Sequence, residues 1–141
     1  TGITRQRTIY SLKTVLPITI ALIIAAGLFL LLKKPRFSPT EGIGFYVFYI
    51  LISCPAQELL FRGILSRMLQ ELRLHRVLEL GVAAALFGYA HIIYGDMLTV
   101  FVMSIVGLFW YQAYQRSSNV IGVTMSHVIL GVMTIALGII D

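Results

Sequence analysis

The chain has 141 residues, of which 58% are hydrophobic and only 12% are charged. A soluble globular domain has about 25% charged residues, so this composition excludes a water-soluble fold, and the length favours a single compact unit. The net charge of +5 could indicate a protein that binds nucleic acid. The basic residues, however, lie between apolar runs and are not interleaved with aromatic ones, so we expect no nucleic-acid partner.

Five uncharged runs each approach the roughly 20 residues that a helix needs to cross a bilayer. They cover residues 15–32, 42–57, 80–95, 97–115 and 117–140. The sequence therefore predicts an all-α fold, a polytopic transmembrane helical bundle of about five helices in the lipid bilayer. Residues 1–41 are predicted to form an N-terminal anchor helix with its linker, and residues 42–141 a helical core.

The distribution of basic residues predicts an orientation. If the spans alternate, one face holds seven basic residues and the other holds only Lys33, Lys34 and Arg36. The seven are Arg5, Arg7, Lys13, Arg67, Arg73, Arg76 and Arg116. Basic loops stay on the cytoplasmic side, so we expect an integral protein of the cell inner membrane with a cytoplasmic N-terminus.

The second helix is predicted to continue past its apolar run, because leucines recur at helical spacing from Glu58 towards Arg76. Pro55 lies inside this helix, where it removes one backbone hydrogen bond and clashes with the carbonyl of Leu51. We therefore expect a kink near Leu51. The only cysteine is Cys54, so no disulfide can form within the chain.

Four ionisable residues fall inside the predicted spans: Glu58, Arg62, His91 and His127. Ionisable groups are costly in lipid and are functional candidates, although charge compensation or a structural histidine would also explain them. The spacing of Glu58 and Arg62 predicts a salt bridge on one helix face. At 1.5 Å per residue, Glu58, His91 and His127 lie in the middle to cytoplasmic half, where they could activate water or bind zinc. Either chemistry favours hydrolysis.

Three segments resemble the motifs of the CPBP family, the CAAX-protease and bacteriocin-processing intramembrane peptidases. They are Gln57-Glu58-Leu59-Leu60-Phe61-Arg62-Gly63, Phe87-Gly88-Tyr89-Ala90-His91, and Ser126-His127 with Gly131. The resemblance implies a CPBP-like core with a cavity open to the cytoplasm, which cleaves membrane-associated or lipid-modified peptides. It also implies catalytic or metal-binding roles for His91 and His127, an orienting role for Arg62, and a cavity-shaping role for Phe87.

Two positions depart from the family pattern. Gln57 stands where the family has the glutamate that activates water, and an amide cannot take a proton. Gly131 stands where the family usually has asparagine, which helps to stabilise the oxyanion. Glu58 is the remaining carboxylate for the base, although it lies about 100° around the helix from Gln57.

Two functions remain open at this stage. The chain is either a working peptidase with a rearranged site or a degenerate member that serves as a binding or assembly subunit of a membrane protein complex. A proton or ion pathway would need a chain of titratable groups across the membrane, and the sequence does not supply one.

Overall fold

The computed structural model describes residues 4–140, and all regular structure in that range is helical. The helices are α1 (Arg5–Leu32), α2 (Ile43–Glu71), α3 (Arg76–Tyr89, extended by a 3₁₀ turn to Tyr94), α4 (Met97–Ser117) and α5 (Val120–Ala136). The first four are long and apolar enough to cross a membrane, and the apolar α5 has 17 residues. The predicted all-α bundle of about five helices is confirmed, and the chain is an integral membrane protein.

One end of the bundle, which we call the basic end, gathers the start of α1, the α2–α3 turn and the α4–α5 turn. The Ser11 hydroxyl donates to the carbonyl of Asn119 across 2.9 Å, which ties α1 to the α4–α5 turn. The Tyr111 hydroxyl donates to Glu79 across 2.7 Å, which ties α4 to the start of α3. The seven basic residues of the predicted cytoplasmic face lie in these segments or next to them.

The opposite end, which we call the linker end, gathers residues 33–42, the α3–α4 turn and the segment after α5. The Arg36 guanidinium pairs with Asp96 at 2.8 Å, and the backbone N–H of Arg36 donates to the carbonyl of Gly138 at 2.8 Å. Asp96 also caps α4 by accepting from the backbone N–H groups of Leu98 and Thr99. These contacts show that successive helices alternate in direction.

Helix α2 changes its hydrogen-bonding pattern twice, with π-helical turns at Tyr49–Ser53 and Leu59–Leu65. In the first turn the N–H of Cys54 bonds to the carbonyl of Tyr49, five residues earlier. The extra residue in this turn accommodates Pro55, which has no N–H to donate. The kink predicted near Leu51 therefore takes the form of a widened helical turn.

Helix α1 packs closely on α5. A Cβ atom at Gly122 would lie 2.6 Å from the backbone carbonyl of Ser11, so only glycine permits this approach. Further along, the hydroxyls of Thr19 and Ser126 are 2.7 Å apart, and the indole N–H of Trp110 donates to Ser126 at 3.0 Å. Helix α1 is therefore hydrogen-bonded to α5 one residue before the α5 histidine.

Candidate active site

Glu58 and His127 form a hydrogen-bonded pair in the interior. Glu58 is fully buried, and its Oε1 lies 2.8 Å from Nδ1 of His127. An ionised carboxylate can only accept, so Nδ1 carries the proton and Nε2 of the neutral ring keeps its lone pair. Glu58 thus orients the imidazole and leaves Nε2 available to another group.

Arg62 holds the other carboxylate oxygen of Glu58. Its Nε lies 3.1 Å from Oε2, close enough for an ion pair although the two atoms are not aligned as a hydrogen bond. Its Nη2 donates to the carbonyl of Gly107 at 3.4 Å, and its guanidinium carbon lies 4.3 Å from the centre of the Phe87 ring. The salt bridge predicted between Glu58 and Arg62 is confirmed.

His91 lies beyond the last residue of α3, close in sequence to the α3–α4 turn at the linker end. Its Nδ1 lies 2.8 Å from the carbonyl of Phe87. A carbonyl only accepts, so this ring also carries its proton on Nδ1 and keeps the lone pair on Nε2. The depth predicted for His91 in the bilayer stays a prediction.

Phe87 is the common neighbour of the two histidines. Its ring centre is 5.1 Å from that of His91 and 5.9 Å from that of His127. Trp110 packs on the imidazole of His127, with ring centres 4.8 Å apart. The structure therefore brings the two histidines of the second and third motifs against the same aromatic ring.

A narrow polar cleft lies beside this cluster. Its lining residues are Tyr49, Gln57, His91, Tyr94, Met103, Gly131, Thr134, Ile135 and Ile140. Its volume is about 10 Å³, room for about one water molecule. Neither Glu58 nor His127 lines this cleft, although His127 lines the adjoining cavity described next. The Gln57 amide donates to the hydroxyl of Ser53 at 3.0 Å.

A larger cavity of about 240 Å³ lies between α1, α4 and α5. Its walls are almost wholly apolar and include Ala26, Val102 and Leu130, while His127 and Trp110 also contribute to its lining. Four residues line both this cavity and the polar cleft: Met103, Gly131, Thr134 and Ile140. The two spaces therefore adjoin at Gly131, an arrangement for which the sequence carried no signal.

The polar residues do not fit the zinc site that the sequence allowed. Among residues 4–140, no group of three His, Cys, Asp or Glu side chains is arranged to hold a metal ion. Both oxygens of Glu58 already face other groups, one His127 and the other the cation of Arg62. A divalent cation there would face the guanidinium charge, so we derive no step through a metal.

One residue of the cleft was missed by the sequence analysis. A Cβ atom at Gly131 would overlap the hydroxyl of Tyr49 and lie 2.7 Å from the ring carbon that bears it. The Tyr49 side chain thus occupies the space that a Cβ atom at position 131 would need. No motif marks Tyr49, which lies in the first π-helical turn of α2.

Comparison with known families finds a match to the type II CAAX prenyl endopeptidase Rce1-like model, over residues 39–133. The match covers about two thirds of the chain and includes the three motifs, while α1 lies outside it. Comparisons with curated proteins and with solved structures found no match. With all three motifs inside the matched segment, the chain belongs to the Rce1-like family of type II CAAX prenyl endopeptidases.

Proposed function

We propose that this protein is an intramembrane endopeptidase that hydrolyses peptide bonds of membrane-associated or lipid-modified peptides. The observation that carries the proposal is the Glu58–His127 contact of 2.8 Å beside a cleft lined by His91. A carboxylate on Nδ1 of an imidazole fixes the tautomer and stabilises the imidazolium that forms when Nε2 takes a proton. The fully buried pair is therefore suited to general-base catalysis.

The proposed base is His127, and Glu58 is its positioning residue. A water molecule near Gly131, where the cleft lined by His91 adjoins the cavity lined by His127, directs one hydrogen to Nε2 of His127. The water oxygen attacks the peptide carbonyl while His127 takes that proton. When the C–N bond breaks, the same proton passes to the leaving amine, and the neutral imidazole is restored. This route requires no carboxylate at position 57.

The apolar cavity is the proposed site for the lipid tail of the substrate. At about 240 Å³ it is slightly smaller than most small-molecule pockets, which suits a slender chain. Because it adjoins the cleft at Gly131, a tail in the cavity would place the attached peptide beside the water. Ala26→Phe should fill the cavity and raise KM for a lipid-modified peptide, with little change for the unmodified peptide.

Cleavage assays in liposomes test the proposed function. We expect the parent to cleave a lipid-modified peptide and His127→Ala to lose about 10²- to 10⁴-fold in kcat, the usual contribution of a general base. His75→Ala is the matched control, because His75 is exposed at the start of α3 and lies far along the chain from both motif histidines. Equal rates for His127→Ala and His75→Ala would refute the assignment of the base.

A second function, that of a degenerate binding or assembly subunit, is favoured by the hydrogen bond of the Gln57 amide to Ser53. The Gln57 amide, at the position of the family's catalytic glutamate, is therefore hydrogen-bonded to the Ser53 hydroxyl. Gln57→Glu separates the two functions. A silent parent with an active Gln57→Glu variant would indicate a degenerate site. If both are silent, purification with a stoichiometric membrane protein would support the assembly role.

We also propose that the N-terminus is cytoplasmic, in a cell inner membrane, because the seven basic residues gather at the basic end. The cleft and the cavity would then open towards the opposite side, in contrast to the cytoplasmic opening that the family resemblance implies. A membrane-impermeant maleimide on intact cells tests this orientation. It should label Ser38→Cys and spare Gln6→Cys, and the buried Cys54 gives no background. The reverse pattern would overturn the orientation.

A further inference from the structure

We propose that the Tyr49 hydroxyl donates the hydrogen bond that stabilises the tetrahedral oxyanion in this site. The inference rests on the proposed peptidase function and assigns its missing donor. Attack by water places a negative charge on the former carbonyl oxygen, and that charge needs a donor aimed at it. The donor must line the cleft and have an O–H or N–H group that a strong neighbouring acceptor does not already hold.

The other donors around the cleft are committed elsewhere. Nδ1 of His91 is engaged by the carbonyl of Phe87, and the Gln57 amide donates to Ser53. The Thr134 hydroxyl donates to the carbonyl of Leu130 at 2.8 Å. Tyr94 also lines the cleft, but with 39% of its surface exposed it lies towards the outside, where water screens any contact.

Tyr49 meets the geometric requirement. Only 8% of its surface is exposed, it lines the cleft, and its hydroxyl lies against Gly131, where the cleft and the apolar cavity adjoin. Its ring stands edge-to-face with that of His127 at 6.1 Å between centres. Cys54 belongs to the same core cluster as Tyr49, and sulfur is a weak acceptor, so the O–H can turn to a developing oxyanion.

The same contact explains why residue 131 is glycine. Any side chain there would collide with Tyr49, so a polar residue at position 131 and this tyrosine exclude each other. The donor that the family supplies from α5 is, in this protein, supplied from the first π-helical turn of α2. The Tyr49 hydroxyl therefore takes the place of the missing asparagine donor, within a few ångströms of the same position.

Tyr49→Phe removes only the hydroxyl and is the first test. We expect kcat for peptide cleavage to fall about 10²- to 10³-fold, as for the loss of one oxyanion donor, with KM within about twofold of the parent. Tyr46→Phe is the matched control: Tyr46 is partly buried one turn earlier in α2 and does not line the cleft. Its kcat should equal that of the parent, and melting temperatures should agree among the three proteins.

A swap variant keeps the test decisive if Tyr49→Phe folds poorly. Combining Tyr49→Ala with Gly131→Asn opens the space and places an amide donor in it. We expect kcat of the double variant to be at least tenfold higher than kcat of Tyr49→Ala alone. A double variant no faster than Tyr49→Ala would count against the inference, because a donor in that space would then not serve the reaction.

The outcomes separate this inference from the proposed function. If Tyr49→Phe cleaves within twofold of the parent rate while His127→Ala is inactive, the hydroxyl is no oxyanion donor and the peptidase proposal stands. If the parent and Gln57→Glu are both inactive on lipid-modified and unmodified peptides, the proposed function fails and this inference fails with it.

Discussion

Replacement of Arg62 by methionine tests the electrostatics of the buried cluster. The change leaves the fully buried Glu58 without the cation 3.1 Å from its Oε2 and removes the guanidinium stacked 4.3 Å from Phe87. Breaking a buried pair from one side typically costs about 3–5 kcal/mol, because the remaining charge is uncompensated. We therefore expect the free energy of unfolding to fall by about that amount.

Arg67→Met is the control for this prediction. Arg67 lies five residues further along α2 and is exposed, so its replacement should change the free energy of unfolding by no more than about 0.5 kcal/mol. Denaturant titrations in detergent micelles measure both variants. The double variant Glu58→Gln with Arg62→Met should lose less than the sum of the two single changes, because neither charge is then left unpaired. Equal losses for Arg62→Met and Arg67→Met, or strict additivity, would refute the reasoning.

Two further predictions concern the ends of the bundle. The hydrogen bond from Arg36 holds the pKa of the Asp96 carboxyl below its ordinary value. The stability that this contact adds is therefore fully present at neutral pH and is lost as the carboxylate becomes protonated in acid. At pH 7, Asp96→Asn should lower the melting temperature, which corresponds to a loss of up to about 1 kcal/mol in the free energy of unfolding. Below about pH 4 the difference from the parent should shrink progressively. A difference that does not depend on pH would contradict this prediction. Gly122→Ala should lower the free energy of unfolding by about 1–3 kcal/mol in denaturant titrations, because the new Cβ atom would collide with Ser11. Gly27→Ala is the control, because a Cβ atom there meets open space. An equal loss for the two variants would be inconsistent with the Ser11 contact.

The helices were predictable because a bilayer demands long apolar runs with satisfied backbones, and such runs can be found by counting. The Glu58–Arg62 salt bridge was also predictable, since residues four apart on a helix share a face. Both features depend on neighbouring positions in one helix. They require no knowledge of how the helices pack.

The remaining features depend on tertiary packing or on local changes in helix geometry. The backbone at His91 was not predictable, because the apolar run continues past Tyr89, whereas the α-helix ends there and a 3₁₀ turn follows at Ile92–Tyr94. The pairing of Glu58 with His127 joins residues 69 positions apart, and in the proposed mechanism the carboxylate orients the imidazole instead of acting as the base. Tyr49 reaches Gly131 through a π-helical turn, which shifts its side chain from the α-helical register used in sequence patterns.

Nitrogen-15 NMR of labelled histidines measures most directly whether both motif imidazoles present a free Nε2. At neutral pH we expect the proton on Nδ1 and a lone pair on Nε2 in His91 and His127, because the carbonyl of Phe87 and the carboxylate of Glu58 only accept hydrogen bonds. The exposed His75 provides the reference signal in the same sample. Spectra with the proton on Nε2 and a bare Nδ1 in either motif histidine would contradict the proposed proton transfer.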